Sequence, residues 1–286
     1  DVAPSRGLGD VYKRQDAVKA FQNALGESIG HIGEKELDIC FYKAKAQALD
    51  GKTKDALATY NAIIKYNKDA RAYYLRGDLY MDMGEEKKGR ADFESAVQQG
   101  KKNYEIYIGI YESLSRHEKK DEGQKYLSAA MEIKGDKPED ELYKGRISYL
   151  LGENKDAISY LEKAKEHKQM LASYYLGLAY DANGDSDKAK KCIAEYIKSG
   201  VATSYDLYEL GMQEMQDGNY KNALTYFNSG LELEKVPNKQ NLMKSAIAAY
   251  EYSGDFDSAK KMMKEYLKAY PDDEEAKHEN TFLETR

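Results

Sequence analysis

The 286-residue sequence holds no tryptophan, two cysteines, four histidines and four prolines. So few prolines suit a chain that is helical nearly throughout, because the ring removes an amide donor and clashes inside a helix. Cys40 and Cys192 fall inside helical apolar patterns far apart in sequence, and read as two small buried hydrophobes, not a disulfide or metal pair. No apolar run approaches the roughly 18 residues that a membrane-spanning helix needs. The net charge of −6 is spread along the chain without a basic stripe, which argues against nucleic acid as a partner. GxxxxGK[ST], GxSxG, HExxH and CxxC are all absent. His117, His167 and His278 sit in Lys/Glu-rich surroundings, and His31 stands alone in a Gly-rich stretch, so none has the spaced partners of a metal site. Carboxylate pairs such as Glu85-Glu86 and Asp272-Asp273 fall at turns and helix starts, where capping accounts for them. Neither catalysis, a cofactor nor a metal is indicated.

What is present is a repeated unit, clearest between Ala172 and Gly200. Tyr174, Gly177, Leu178 and Tyr180 lie at helical spacing, Asn183-Gly184-Asp185 stops the helix, and the apolar stripe resumes with Ala189, Ile193, Tyr196 and Ile197. Gly184 can take the left-handed conformation of a helix end, and Asp185 or Ser186 can cap the next helix. The unit is therefore two antiparallel helices joined by a tight turn. Equivalent turns fall at Gly51, Gly84, Glu118, Gly152, Gly184, Gly218 and Gly254, spaced by 33, 34, 34, 32, 34 and 36 residues. The small residue of the second helix is in turn Ala56, Gly89, Gly123, Ala157, Ala189, Ala223 and Ala259. Four residues later come Tyr60, Phe93, Leu127, Leu161, Ile193, Phe227 and Met263.

On Gly177 and Tyr180 in the first helix, Ala189, Ile193 and Tyr196 in the second, and a period near 34 residues, the chain resembles the tetratricopeptide repeat family. The resemblance implies an all-α, right-handed superhelical solenoid of tandem hairpins (an α-α superhelix). Residues 35–271 are expected to form seven repeats, and 272–286 a polar capping helix after Pro271. The third repeat lacks a turn glycine and is expected to close less comfortably at His117-Glu118-Lys119-Lys120. Lys43 and Gln47 stand where apolar residues are expected, which predicts looser packing in the first repeat. Asp181, Asn183, Asp185 and Asp187 superficially suggest a calcium loop, but Ser186 and Cys192 occupy the positions that need Gly and Glu, so the stretch reads as a turn.

Residues 1–15 break the pattern. Asp10-Val11-Tyr12-Lys13-Arg14-Gln15 is what GAT GTG TAT AAG AGA CAG encodes, which looks like a sequencing-adapter end, so a non-native leader is expected there. Residues 16–34 then read as the second helix of a truncated repeat plus a linker, in a bacterial protein that has lost its N-terminus. Val18, Phe21 and Leu25 would be exposed, which predicts self-association or fraying at that end.

Tyrosine is over-used, with 26 residues against six Phe. Tyr80, Tyr180 and Tyr250 read as core aromatics. The resemblance implies that first-helix residues line an inner groove, at positions three before, one after and four after the small residue. That assigns Tyr74, Asp78, Ile108, Leu142, Arg146, Tyr174, Leu178, Tyr208 and Met212 to a partner-binding surface, with Glu112 in the same row and Tyr205 one turn before Tyr208. The residues that a carboxylate-clamping subset of the family uses are replaced here by Phe41, Lys45, Tyr74, Asp78, Ile108 and Glu112. The reading is a non-enzymatic protein–protein scaffold for a peptide or protein segment. Two alternatives stay open: an accessory arm of a larger enzyme, regulator or envelope-anchored protein, and a small-ligand (glycan) receptor. The residues do not fix a cellular location.

Overall fold

The computed structural model describes residues 33–135 and 137–286. The expected leader and half repeat, with His31, Val18, Phe21 and Leu25, lie outside them. Every regular element among the described residues is an α-helix: α1 (Glu34–Leu49), α2 (Thr53–Asn67), α3 (Ala70–Asp82), α4 (Glu86–Gln99), α5 (Tyr104–Arg116), α6 (Lys120–Met131), α7 (Pro138–Leu151), α8 (Asn154–Glu166), α9 (Leu171–Ala182), α10 (Ser186–Lys198), α11 (Ser204–Gln216), α12 (Tyr220–Leu231), α13 (Lys239–Tyr252), α14 (Phe256–Ala269) and α15 (Glu274–Leu283). The fold is all-α, of the kind built from tandem helical hairpins, and α1 to α14 pair in sequence order as seven of them.

One device closes all seven. The turn residue has positive φ, and its amide donates three residues back while the next amide donates five residues back, as in Gly184 to Asp181 and Asp185 to Tyr180, both 2.8 Å. This double bond satisfies carbonyls that a helix end leaves open. Six turns use glycine; the third uses Glu118 at φ 60°, whose amide reaches Ser115 and that of Lys119 reaches Leu114. A side chain in that region costs about 1 kcal/mol, which is the discomfort that a missing glycine predicts. Asp185 then caps α10, its Oδ1 accepting the Lys188 amide at 3.4 Å. The supposed calcium-loop residues thus serve a turn and a cap.

The two helices of a hairpin meet where a small residue faces a large one. A methyl group on Gly77 would stand 2.8 Å from the Phe93 ring, on Gly145 2.4 Å from Leu161, and on Gly211 2.3 Å from Phe227. Second helices also pack on the next first helix, as α2 does on α3, α6 on α7 and α12 on α13. In the first hairpin Gln47 is buried and accepts a hydrogen bond from Thr59 at 3.1 Å. A cleft of about 540 Å³ remains beside it, lined by Leu37, Cys40, Lys43 and Ile63 among others. Cys40 is only half-buried there, unlike Cys192.

The chain divides into two compact units, the first ending at Cys192 and the second running from Ile193 to Arg286. In the first, cores such as Leu142, Leu161, Leu176, Ala179 and Tyr180 join consecutive hairpins. In the second, α15 lays Ala276 and Leu283 against Met243, Ile247, Met263 and Tyr266. Asp273 caps α15, and its acidic first turn faces the positive end of the helix dipole.

Candidate partner-binding face

The first helices of the hairpins carry the residues that the sequence assigns to a partner. In the first unit, α3 lies beside α5 and α7 beside α9. Ile108 on α5 is fully buried and Leu142 on α7 is 8% exposed, so both are core residues and offer a partner no surface. The reason lies in α5, whose residues Tyr104, Ile106, Tyr107, Ile108, Ile110, Tyr111 and Leu114 are all buried. Its apolar face is wide and wholly covered, and only Glu105, Glu112 and Arg116 on the remaining side are exposed.

Tyr74 on α3 is half-buried. Its ring closes on Gly109 of α5, where a methyl group would stand 2.6 Å from Tyr74 Cζ. Burial, and then the Asp78 and Glu112 charges, push its hydroxyl pKa well above the usual tyrosine value. Its ring is therefore anchored between hairpins.

Asp78 and Arg146 are engaged with neighbouring repeats. Arg116 on α5 donates to Asp78 on α3 at 2.5 Å. Arg146 on α7 donates to both oxygens of Glu105 at 3.2 Å and to Glu112 at 3.1 Å, both on α5. Earlier in the chain, Arg71 on α3 donates to Asp38 on α1 at 3.0 Å. Each arginine reaches back to a carboxylate on the preceding first helix, so the three arginines form a ladder of clips across α1, α3, α5 and α7. Burial opposes the charge on Arg146, yet the Tyr175 ring 5.5 Å from its guanidinium and the two glutamates keep its pKa raised. Arg71, Arg116 and Glu105 escape a search by repeat position. The signal that finds them is opposite charge about one period apart.

On α9, Tyr174 and Leu178 are half-buried one turn apart, with Tyr174 edge-on to Tyr175 at 5.1 Å between centroids. In the second unit, α11 presents Tyr205, which is 55% exposed. Tyr208 is half-buried against Phe227 at 6.2 Å, and Met212 Sδ accepts from the Ser245 hydroxyl of α13 at 3.6 Å. These two short stretches, each on its own helix, keep apolar surface open. Among the described residues no group of His, Cys, Asp and Glu is arranged to hold a metal ion, and no helix is long and apolar enough to cross a membrane. The half-buried Cys40 thiol is pushed up in pKa by burial, the reverse of an activated nucleophile.

Models of the tetratricopeptide repeat match residues 41–104, 171–199 and 240–273. None of the curated proteins matches the sequence. Among solved structures, yeast Tom70 is similar at a TM-score of 0.56 and 14% identity, over 96% of this chain and 59% of that one. A tetratricopeptide repeat protein from Parabacteroides merdae is similar at a TM-score of 0.50 and 12% identity, over 84% of this chain and 97% of the other. At such identities these likenesses speak for the fold alone. Taken with seven hairpins closed by one turn geometry, the matches make this chain a tetratricopeptide-repeat protein.

Proposed function

We propose that this chain is a non-enzymatic protein–protein interaction scaffold that takes a peptide or helical segment of a partner on its first-helix faces. The fold suits that role at the coarse level, since tandem hairpins present long rows of side chains on helices held rigid from behind. The observation that supports the finer reading is the pair Tyr174 and Leu178 on α9, and separately Tyr205, Tyr208 and Met212 on α11. Each places aromatic and apolar side chains one turn apart with part of their surface open to water. Such amphipathic aromatics are the usual anchors of an interface. The Arg–carboxylate clips serve a different purpose: they hold one first helix against the next along α1, α3, α5 and α7.

A peptide selected from a random display library against this protein tests the proposal. Leu178→Ala should weaken a peptide held on α9, or Tyr205→Ala one held on α11, roughly 5- to 30-fold, the range of interface anchors. Lys163→Ala, on the second helix α8, should leave it unchanged. The reverse pattern would remove the first-helix faces from consideration.

A further inference from the structure

Cations in this chain are repeatedly held between a carboxylate and an aromatic ring. Arg71 donates to Asp38 at 3.0 Å and lies 4.4 Å from the Phe41 ring, both on α1. Lys188 pairs with Asp185 at 2.9 Å and lies 5.0 Å from the Tyr180 ring. In the second unit, Lys244 pairs with Asp273 at 2.9 Å and lies 5.8 Å from the Tyr266 ring. The negative face of the ring and the carboxylate attract the same charge.

On α11 a ring and a carboxylate stand one turn apart, at Tyr205 and Glu209, and the chain supplies no cation to them. From Val201 to Tyr220 there are four acidic residues, Asp206, Glu209, Glu214 and Asp217, and no Lys, Arg or His. Asp206 accepts from the Tyr196 hydroxyl at 2.6 Å and Glu214 from the Asn222 amide at 3.1 Å, neutral donors that leave both charges in place. Glu209 and Asp217 are exposed and make no ion pair among the described residues. The lysines of α13, the neighbouring first helix, do not answer them: Lys244 is taken by Asp273, and Lys239 makes no ion pair among the described residues. This contrasts with the first unit, where Arg71, Arg116 and Arg146 meet the carboxylates of the preceding first helix.

The residues around Glu209 form a surface. Tyr205, Glu209, Met212 and Gln216 are spaced four, three and four apart, so they share one stripe of the helix, opposite the buried Leu207 and Leu210. Tyr205 is 55% exposed, Glu209 and Gln216 are exposed, and Met212 is half-buried. Tyr208 flanks the stripe and rests on Phe227 behind it.

We propose that this stripe takes a partner segment that carries a lysine or arginine beside its apolar anchors. The cation sits against Glu209 and the Tyr205 ring, as Arg71 sits against Asp38 and Phe41, while an apolar side chain packs on Met212 and Tyr208. The inference rests on the partner-holding role proposed above for first-helix faces and adds the charge of the partner. The uncompensated acids of α11 attract a basic segment and repel an acidic one.

The test uses two amphipathic helical peptides that share one leucine face, one with lysines and one with glutamates at the remaining positions. Amide NMR shifts of the whole chain locate each peptide, and titration gives its affinity. The lysine peptide should shift α11 around Tyr205 and Glu209 and bind at least about 10-fold more tightly than the glutamate peptide at low salt. Glu209→Gln, at an exposed position, should weaken the lysine peptide about 2- to 5-fold, a difference that high salt removes. Tyr205→Leu keeps apolar bulk without the ring and should weaken it by about the same factor, whereas Tyr205→Phe should bind like the parent. Glu265→Gln, which removes an exposed acid from the second helix α14, should change nothing. If both peptides shift α11 with equal affinity, the partner-holding role stands and the cation assignment falls. If neither shifts α11, both fall for this helix, and a lysine peptide indifferent to Glu209→Gln overturns the cation assignment alone.

Discussion

Tyr111 and Gly123 meet with the large residue on the first helix and the glycine on the second, a methyl on Gly123 standing 3.1 Å from the Tyr111 ring, and Gly89 against Met81 is placed the same way. Gly77, Gly145 and Gly211 are on first helices instead, as Gly211 is against Phe227, where a methyl would come within 2.3 Å of the ring. Gly211→Ala would gain up to about 1 kcal/mol of helix propensity. The stiff Phe227 ring must move to admit it, and overpacking of that kind costs about 1–3 kcal/mol. Gly211→Ala should therefore be destabilising by urea denaturation, and more so than Gly123→Ala, whose neighbours need to give by only a few tenths of an ångström.

Glu118 holds the positive φ that glycine holds in the other six turns. Its side chain is exposed, so replacing it removes strain and leaves the backbone hydrogen bonds of the turn in place. Glu118→Gly should stabilise the protein by about 0.5–1 kcal/mol, seen as a higher melting temperature. The same change from lysine at Lys68, another left-handed residue at a helix end, should act in the same direction.

Asp273 ties the last helix to the body of the second unit. Burial alone would raise its pKa, but the Tyr266 hydroxyl at 2.5 Å, the Lys244 ammonium and the Ala276 amide outweigh that and hold it at about 2. The folded value lies below the unfolded value of about 3.9, so its stabilisation is present above pH ~4 and is lost as the pH falls through about 2. Asp273→Asn retains capping ability but not the charge. It should cost about 1–2 kcal/mol at pH 7, and the difference from the parent should close towards pH 2. Glu251 has the opposite sign: burial and then Glu279 raise its pKa, so its stabilisation is present below the unfolded value and is lost as pH rises through the folded one. Glu251→Gln should accordingly stabilise at pH 7.

Arg146 is 17% exposed at its side chain, whereas Glu112 is 49% exposed, which places the clip between a buried pair and a surface pair. A double-mutant cycle with Arg146→Ala and Glu112→Ala should return a coupling of about 0.5–1.5 kcal/mol. Because one partner is exposed, 1 M salt should reduce it. A coupling near zero at low salt would mean that the clip is incidental to the spacing of α5 and α7.

The turns and the small-against-large contacts were legible because they depend on residues close in sequence and recur at a fixed period. Gly184 with Asp185, and Asp273 before the acidic start of α15, carry their own signals. The partner face was less legible, because repeat position assigns a side to each residue only while every first helix is half exposed. In α5 that condition fails: Tyr74 closes over Gly109, and Ile108 sinks into the core. Asp78 and Arg146 were read as open to a partner, yet their charges are met by Arg116 and by two glutamates on neighbouring helices. Those pairings lie 34 to 41 residues apart and become visible only when charges in successive repeats are compared.

The central claim, that partners are held on first-helix faces, is tested most directly by hydrogen exchange of the protein with and without a bound selected peptide. Slowed exchange should fall on α9 or α11, around Leu178 or Tyr205, with α8 and α12 unchanged. Protection confined to the second helices would contradict it.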